Sequence, residues 1–141
     1  QQTYSGAGGA YGGDAGKSCH KFVYASKQPD GGSSYGSATW PVDYGSGGGK
    51  VYYIKSARSN TGGGGGGRIH ITLTNHMLLN GVITANGGNG RVHDGSSSYD
   101  SSGGGGAGGS ILIEADSLSG NGIIRVNGGG VWDNKGGSGG G

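Results

Sequence analysis

Residues 62–88 read GGGGGGRIHITLTNHMLLNGVITANGG, and residues 103–129 read GGGGAGGSILIEADSLSGNGIIRVNGG. Both follow one plan: a glycine run, a short alternating apolar segment, a second apolar segment ending in Asn, then Gly-Gly. Laying Ile69 and Ile71 over Ile111 and Ile113 gives an offset of 42. Laying Ile83, Ala85 and Asn86 over Ile124, Val126 and Asn127 gives 41, so one residue drops out between, near Thr74 to Met77. A unit this small cannot bury its apolar face alone and completes a core only by stacking on a neighbour. The expected fold is all-β: a short parallel β-helix or β-solenoid with ordered polyglycine segments of the polyproline II type and long Gly-rich loops.

Composition sets the limits of that fold. Of 141 residues, 40 are glycine and 30% are hydrophobic, so a thick core is out of reach. Glycine loses the most backbone entropy on folding and brings no side chain to bury; such a chain is either disordered or held by dense backbone hydrogen bonding. Collagen is excluded by two prolines and the lack of a Gly-X-Y period. Disorder is opposed by the β-branched segments KVYYI, RIHITLT, VITA, SILI and GIIRV, each bounded by turn residues. The glycine runs at 62–67 and 103–106 precede a strand segment at the same place in each repeat, which points to ordered runs rather than linkers.

The organisation expected is an N-terminal Gly/Tyr-rich segment at 1–61, containing the first strands and a candidate strand-exchange arm at 1–17, followed by two solenoid repeats in 62–141, at about 62–102 and 103–141. Strand segments are expected within 18–26 and 50–56, with a turn at Pro29-Asp30-Gly31-Gly32 between them. Ile69, Ile71, Ile83, Ile111, Ile113 and Ile124 are expected to be buried and stacked in pairs. Val in place of Gly64 or Gly105 is expected to be badly tolerated.

Ten Lys and Arg against eight Asp and Glu give a net charge of +2. The basic residues are scattered, which argues against nucleic acid as a partner. No apolar run approaches the length needed to insert in a membrane, and an opening with Gln1-Gln2 suggests a processed, secreted product. The single Cys19 leaves three readings: a buried thiol, a reactive one, or an intermolecular thiol bonded to another chain.

The words GAYGGDAG, YGSATWPVDYGSGGG, GGGGGGRIHI, LNGVITANGGNG and GGGAGGSILIEADSLSGNGIIRVNGGG, in that order, resemble the Gly-rich, β-helix-like extracellular and cell-surface repeat proteins of plants, protists and bacteria. The resemblance covers nearly the whole chain. It implies a secreted, repetitive structural surface and supplies no catalytic residues. The chain is short beside those proteins and carries two tryptophans.

Several near-matches to reactive motifs fail on spacing. In Gly12-Gly13-Asp14-Ala15-Gly16-Lys17-Ser18 the first glycine of a phosphate-binding loop falls at Tyr11. Gly87-Gly88-Asn89-Gly90 begins like a calcium-binding nonapeptide, but its Asp position is Val92. His70, His76 and His93 fall in no metal-ligand spacing, and His70, alternating with Ile69 and Ile71, should face away from them. Glu114 and Asp116 read as an outward polar edge rather than an acid/base pair. No catalytic residue, cofactor or metal is expected. The aromatic residues Tyr4, Tyr11, Tyr35, Trp40, Tyr44 and Trp132 are the candidate assembly or ligand contacts, because an aromatic ring offers an apolar body with a polar edge.

The expected function is that of a structural protein, not an enzyme: a secreted subunit whose principal partner is itself, added head to tail into an extracellular fibre or coat. The alternative is a Gly-rich adhesin or a module that binds extracellular glycans.

Overall fold

The computed structural model describes residues 3–4, 6–18, 29–53, 59–91, 102–131 and 137–140. Among them no helix occurs, and the strands are short: β1 Thr3–Tyr4, β2 Val51–Tyr53, β3 Ser59–Asn60, β4 Arg68–Thr72, β5 His76–Leu78, β6 Val82–Thr84, β7 Ser110–Glu114, β8 Ser117–Ser119 and β9 Ile123–Arg125. β1, β2 and β3 form an antiparallel sheet, and the rest form three two-stranded parallel sheets, β4 with β7, β5 with β8 and β6 with β9. The fold is all-β. The segment expected at 18–26 lies, beyond Ser18, outside the described residues, while β2 falls within the one expected at 50–56.

The parallel pairs verify the repeat alignment. Ile69 pairs with Ile111 and Ile71 with Ile113; Met77 pairs with Leu118, and Ile83 with Ile124. The register slips from 42 to 41 between Thr72↔Glu114 and His76↔Ser117, the interval in which the sequence loses a residue.

Between the strands the chain runs as extended glycine-rich segments, and these make the interior. Residues 102–109 lie at the centre, buried along their whole length. Their amides donate in three rows: Gly103, Gly106 and Gly109 to the carbonyls of Arg91, Gly88 and Ala85; Gly104 and Ala107 to those of Gly49 and Ser46; Gly105 and Gly108 to those of Gly137 and Gly140. Their carbonyls accept in three more rows: Ser102 and Gly105 from Gly6 and Gly9, Gly104 and Ala107 from Gly63 and Gly66, and Gly106 from Gly129. Each row recurs every third residue, the period of the extended polyproline II helix. Six runs therefore surround the central one: 6–11, 45–49, 61–67, 85–91, 126–131 and 137–140.

The ring closes on itself. Neighbouring runs are joined by bonds such as Gly49 N–H to Ala7 at 2.7 Å, Gly48 to Gly63 at 2.9 Å, Gly88 to Gly64 at 2.8 Å, Gly87 to Asn127 at 2.9 Å, Gly139 to Gly129 at 2.9 Å and Gly137 to Gly6 at 2.9 Å. Runs 13–18 and 29–35 add outside 6–11 through Gly8 to Gly16 and Gly32 to Gly8. The bond registers make successive runs alternate in direction, so the connections fall at two ends. The antiparallel sheet β1–β2–β3 stands at one end; β4 to β9 and the loop 36–44 stand at the other.

Glycine is required inside because the backbones touch. A Cβ on Gly104, Gly105 or Gly106 would fall against the carbonyl oxygens of Ala7, Gly129 or Gly64, far inside contact distance. Most exceptions are small: Ala10, Ala85 and Ala107 are buried, the largest fully buried side chain among the described residues is Val51, and Tyr11 is buried at the end of its run.

Two expectations are corrected. Ile69, Ile71, Ile83, Ile111 and Ile113 are half-buried rather than buried, and Ile124 is 44% exposed; two rungs give an apolar layer only one pair deep, with the buried interior made instead by backbone. Val is excluded at Gly105 as expected, but not at Gly64, where an added Cβ meets nothing within 4 Å. The candidate arm contributes runs 6–11 and 13–18 to this chain's own bundle.

Candidate functional site

Two surfaces stand out once the bundle is built. The first is the outward side of run 61–67. Its inward groups are satisfied: Gly63 and Gly66 donate to the central run, and Gly63, Gly64 and Gly66 accept from Gly48, Gly88 and Gly45. The amides of Gly62, Gly64, Gly65 and Gly67 and the carbonyls of Gly62 and Gly65 make no bond to the described residues. Gly64 and Gly67, three apart and therefore on one line, have open space where a side chain would stand. Among the described residues this flank is the edge of a hydrogen-bonded lattice, with no side chain over Gly64 or Gly67.

The second surface is a cleft of about 520 Å³ at the strand end of the bundle. Run 6–11 ends there in Tyr11, run 29–35 ends there in Tyr35, and Ile111 of β7, Ile124 of β9 and Val126 form the facing wall. Tyr11 and Tyr35 meet edge to face, with ring centroids 5.2 Å apart and planes at 74°. The Tyr35 hydroxyl donates to the Tyr44 carbonyl at 2.5 Å, and the Tyr35 amide donates to the Tyr11 carbonyl at 2.8 Å. Gly36, at φ +88°, lies so close on the Tyr11 ring that a Cβ would stand 2.6 Å from its Cε2; both the backbone sign and the contact exclude a larger residue. Tyr11 is 6% exposed, and its hydroxyl is the one buried side-chain polar atom without a hydrogen-bond partner among the described residues.

Of the aromatic residues singled out from sequence, the structure brings together Tyr11 and Tyr35, with the Tyr44 backbone beside them and its side chain 67% exposed. Trp40 stands apart, edge-on to His70 at 6.3 Å, on a turn where its amide donates to Ser37 Oγ at 3.0 Å. Tyr4 lies in β1, opposite Tyr52. Trp132 and Cys19 lie outside the described residues, as do His93 and Val92. Sequence reading missed the cleft's second wall and the lattice edge: Ile111, Ile124 and Val126 read only as repeat core, and Gly64 and Gly67 were indistinguishable from the glycines that the fold requires.

The polar side chains of the rungs pair with one another. Across β4 and β7, His70 Nε2 stands 2.5 Å from Glu114 Oε2, with Thr72 Oγ1 donating to the same oxygen at 3.4 Å. His70 does face away from the half-buried Ile69 and Ile71. His76 bridges β5 and β8, its Nδ1 and Nε2 each 2.8 Å from Ser117 Oγ and Ser119 Oγ. Glu114 is thus held by the neighbouring rung. Among the described residues no group of three or more His, Cys, Asp or Glu stands together to hold a metal, and no helix is long and apolar enough to cross a membrane.

Residues 13–18, the near-match to a phosphate loop, form an extended run. There the amide of Ser34 donates to Asp14 and holds its carboxyl below the usual range. Lys17 is raised by its hydrogen bond and charge contact with Asp30, at 2.7 Å on the surface.

Asn side chains tie the repeats at their outer corners. Asn80 Oδ1 accepts the amide of Asn121 at 3.2 Å, Asn86 Oδ1 that of Asn127 at 2.9 Å, and Asn89 Oδ1 that of Gly130 at 2.8 Å. The aligned Asn86 and Asn127 are therefore tied from side chain to backbone, with the second repeat repeating Asn at 121 and 127.

No family model, curated protein or solved structure matches the chain.

Proposed function

We propose that this chain is a structural subunit that assembles with copies of itself into an extracellular fibre or coat. The observation that carries the reading is the outward flank of run 61–67. Glycine at Gly64 and Gly67 carries its entropy cost yet meets no steric demand from the described residues, and the amides and carbonyls beside it that make no bond to those residues match the ones the interior runs use on each other. A second glycine-rich backbone laid along this flank completes the same three-residue pattern. Addition of this kind is edge pairing with a helical rather than a pleated backbone.

The rungs support the same reading. β4 to β6 and β7 to β9 behave as two turns of a β-solenoid, with Asn121 and Asn127 repeating the positions whose side chains in the first rung accept a neighbour's amide. Their apolar residues stay open: Leu78, Val82 and Leu118 are each more than half exposed, an interaction surface rather than a finished core. Head-to-tail growth by exchange of residues 1–17 needs 6–11 to leave a slot that it fills in its own chain. Lateral addition at 61–67 needs nothing to move, and is the route favoured here. The extracellular setting in this proposal rests on the resemblance of the repeat words to Gly-rich surface proteins.

The test is the double substitution Gly64→Val/Gly67→Val, read by sedimentation and electron microscopy. The variant is expected to fold with an unchanged melting temperature and to lose concentration-dependent assembly. A wild-type chain that stays monomeric at high concentration while well folded overturns the proposal.

A further inference from the structure

The cleft at the strand end has the dimensions and chemistry of a ligand site, independently of any assembly. Its volume of about 520 Å³ falls within the roughly 300–1,000 Å³ typical of small-molecule pockets. Its lining is apolar at Ile111, Ile124, Val126 and Pro41 and aromatic at Tyr11 and Tyr35; Ser34 and Ser37 also line it, and no charged side chain does so among the described residues. A lining of this kind suits a ligand that is itself two-faced, with one apolar ring face and a rim of neutral hydroxyls.

The Tyr11 hydroxyl adds a specific demand. A buried hydroxyl with no partner is destabilising, and this one belongs to a residue fixed from three sides: by the Tyr35 ring, by Gly36 against its Cε2, and by the bond from the Tyr35 amide to its carbonyl. The ring cannot swing out to find water without moving the 34–38 loop. The hydroxyl is closed to a water-sized molecule, so a ligand oxygen becomes its acceptor only as the 34–38 loop yields to the ligand.

We propose that this cleft binds a neutral sugar unit of a glycan, its apolar face against Ile111, Ile124 and Val126 and one of its oxygens accepting the Tyr11 hydroxyl. Ser37, whose oxygen accepts the Trp40 amide, turns its hydroxyl hydrogen to the ligand at the mouth, while the Ser34 hydroxyl is held by Asp14. Ser110 is not free to do so, since its hydroxyl donates to the Asp43 carbonyl at 2.7 Å. Anionic sugars are disfavoured, having no cation among the described lining residues to meet them.

The experiment titrates the whole chain with neutral hexasaccharides of glucose, mannose and N-acetylglucosamine, with hexagalacturonate as the charged control. Amide shifts of Gly12, Gly36 and Gly109 are followed by NMR. The Gly64→Val/Gly67→Val background is run beside wild type, so that failure of assembly and failure of binding are scored separately. At least one neutral saccharide is expected to saturate these shifts with a Kd in about the micromolar to millimolar range. Tyr11→Phe is expected to weaken that binding about three- to tenfold while leaving the melting temperature equal or higher, because it deletes an unpartnered hydroxyl. Ile124→Glu, at a half-exposed position on the wall, is expected to abolish binding without unfolding the chain. Absence of saturation by every neutral sugar, tighter binding of the charged control, shifts confined to other residues, or undiminished binding by Tyr11→Phe each overturns the proposal.

Discussion

Runs 102–109 and 61–67 are nearly the same text, SGGGGAGG beside TGGGGGG, yet one is the centre of the molecule and the other part of its rim. The central run spends hydrogen bonds in six directions and is buried throughout. The rim run spends them inward and leaves one flank open. What the difference teaches is that a glycine run encodes a mode of contact, backbone against backbone at every third residue, without encoding how many neighbours it will have. That number is set by where the chain places the run, and the uncovered remainder is an interface.

The largest effect that would break this comparison is expected at Gly105. A Val side chain there has to displace the Gly129 carbonyl from the bundle's centre, and the cost, about 4 kcal/mol or more, should abolish cooperative unfolding as followed by circular dichroism. A folded Gly105→Val variant would show the centre to be as permissive as the rim.

Removing residues 1–17 comes next. It strips from the central run the bonds made by Gly6 and Gly9, together with the slots filled by 13–18, so a large fall in melting temperature is expected rather than a soluble, merely non-elongating protein. Calorimetry that finds the truncated chain as stable as the whole would mean that residues 6–11 are a detachable arm.

A moderate effect is expected from Asn86→Ala. The side chain hangs on an outer run and accepts the Asn127 amide across the repeat, a bond worth about 0.5–1.5 kcal/mol; chemical denaturation should report that loss, and no change would assign the corner to the strands alone. The smallest effect on stability belongs to Gly64→Val, expected within about 0.5 kcal/mol of wild type. Set against Gly105→Val, this pair of identical substitutions measures the difference between centre and rim directly.

Part of this architecture was legible before any coordinates. Period-two alternation in RIHIT and SILIE with turn residues around them marked the strands, and self-similarity marked their pairing, with the lost residue read near Thr74 to Met77 and found between Thr72 and His76. Burial of the isoleucines was not legible, because the alternation shows which residues share a face and not how many rungs will cover it. The cleft was half legible. Tyr11 and Tyr35 drew notice as aromatics among glycines, but their meeting across 24 residues depends on two runs ending at the same end of the bundle.

The sequence by itself determined that the chain is all-β and built of two stacked repeats in a defined register, since those follow from local periodicity and from one segment's likeness to another. Only the tertiary structure decided which glycine run is central, which glycines a side chain would destroy and which it would spare, and that the Tyr11 hydroxyl lacks a partner among the described residues. The physical reason lies in the residue that dominates the chain. Glycine has no side chain to mark an inside or an outside, so the sequence of a run is the same whether six backbones surround it or three, and the choice is made by long-range hydrogen bonds that no local pattern records.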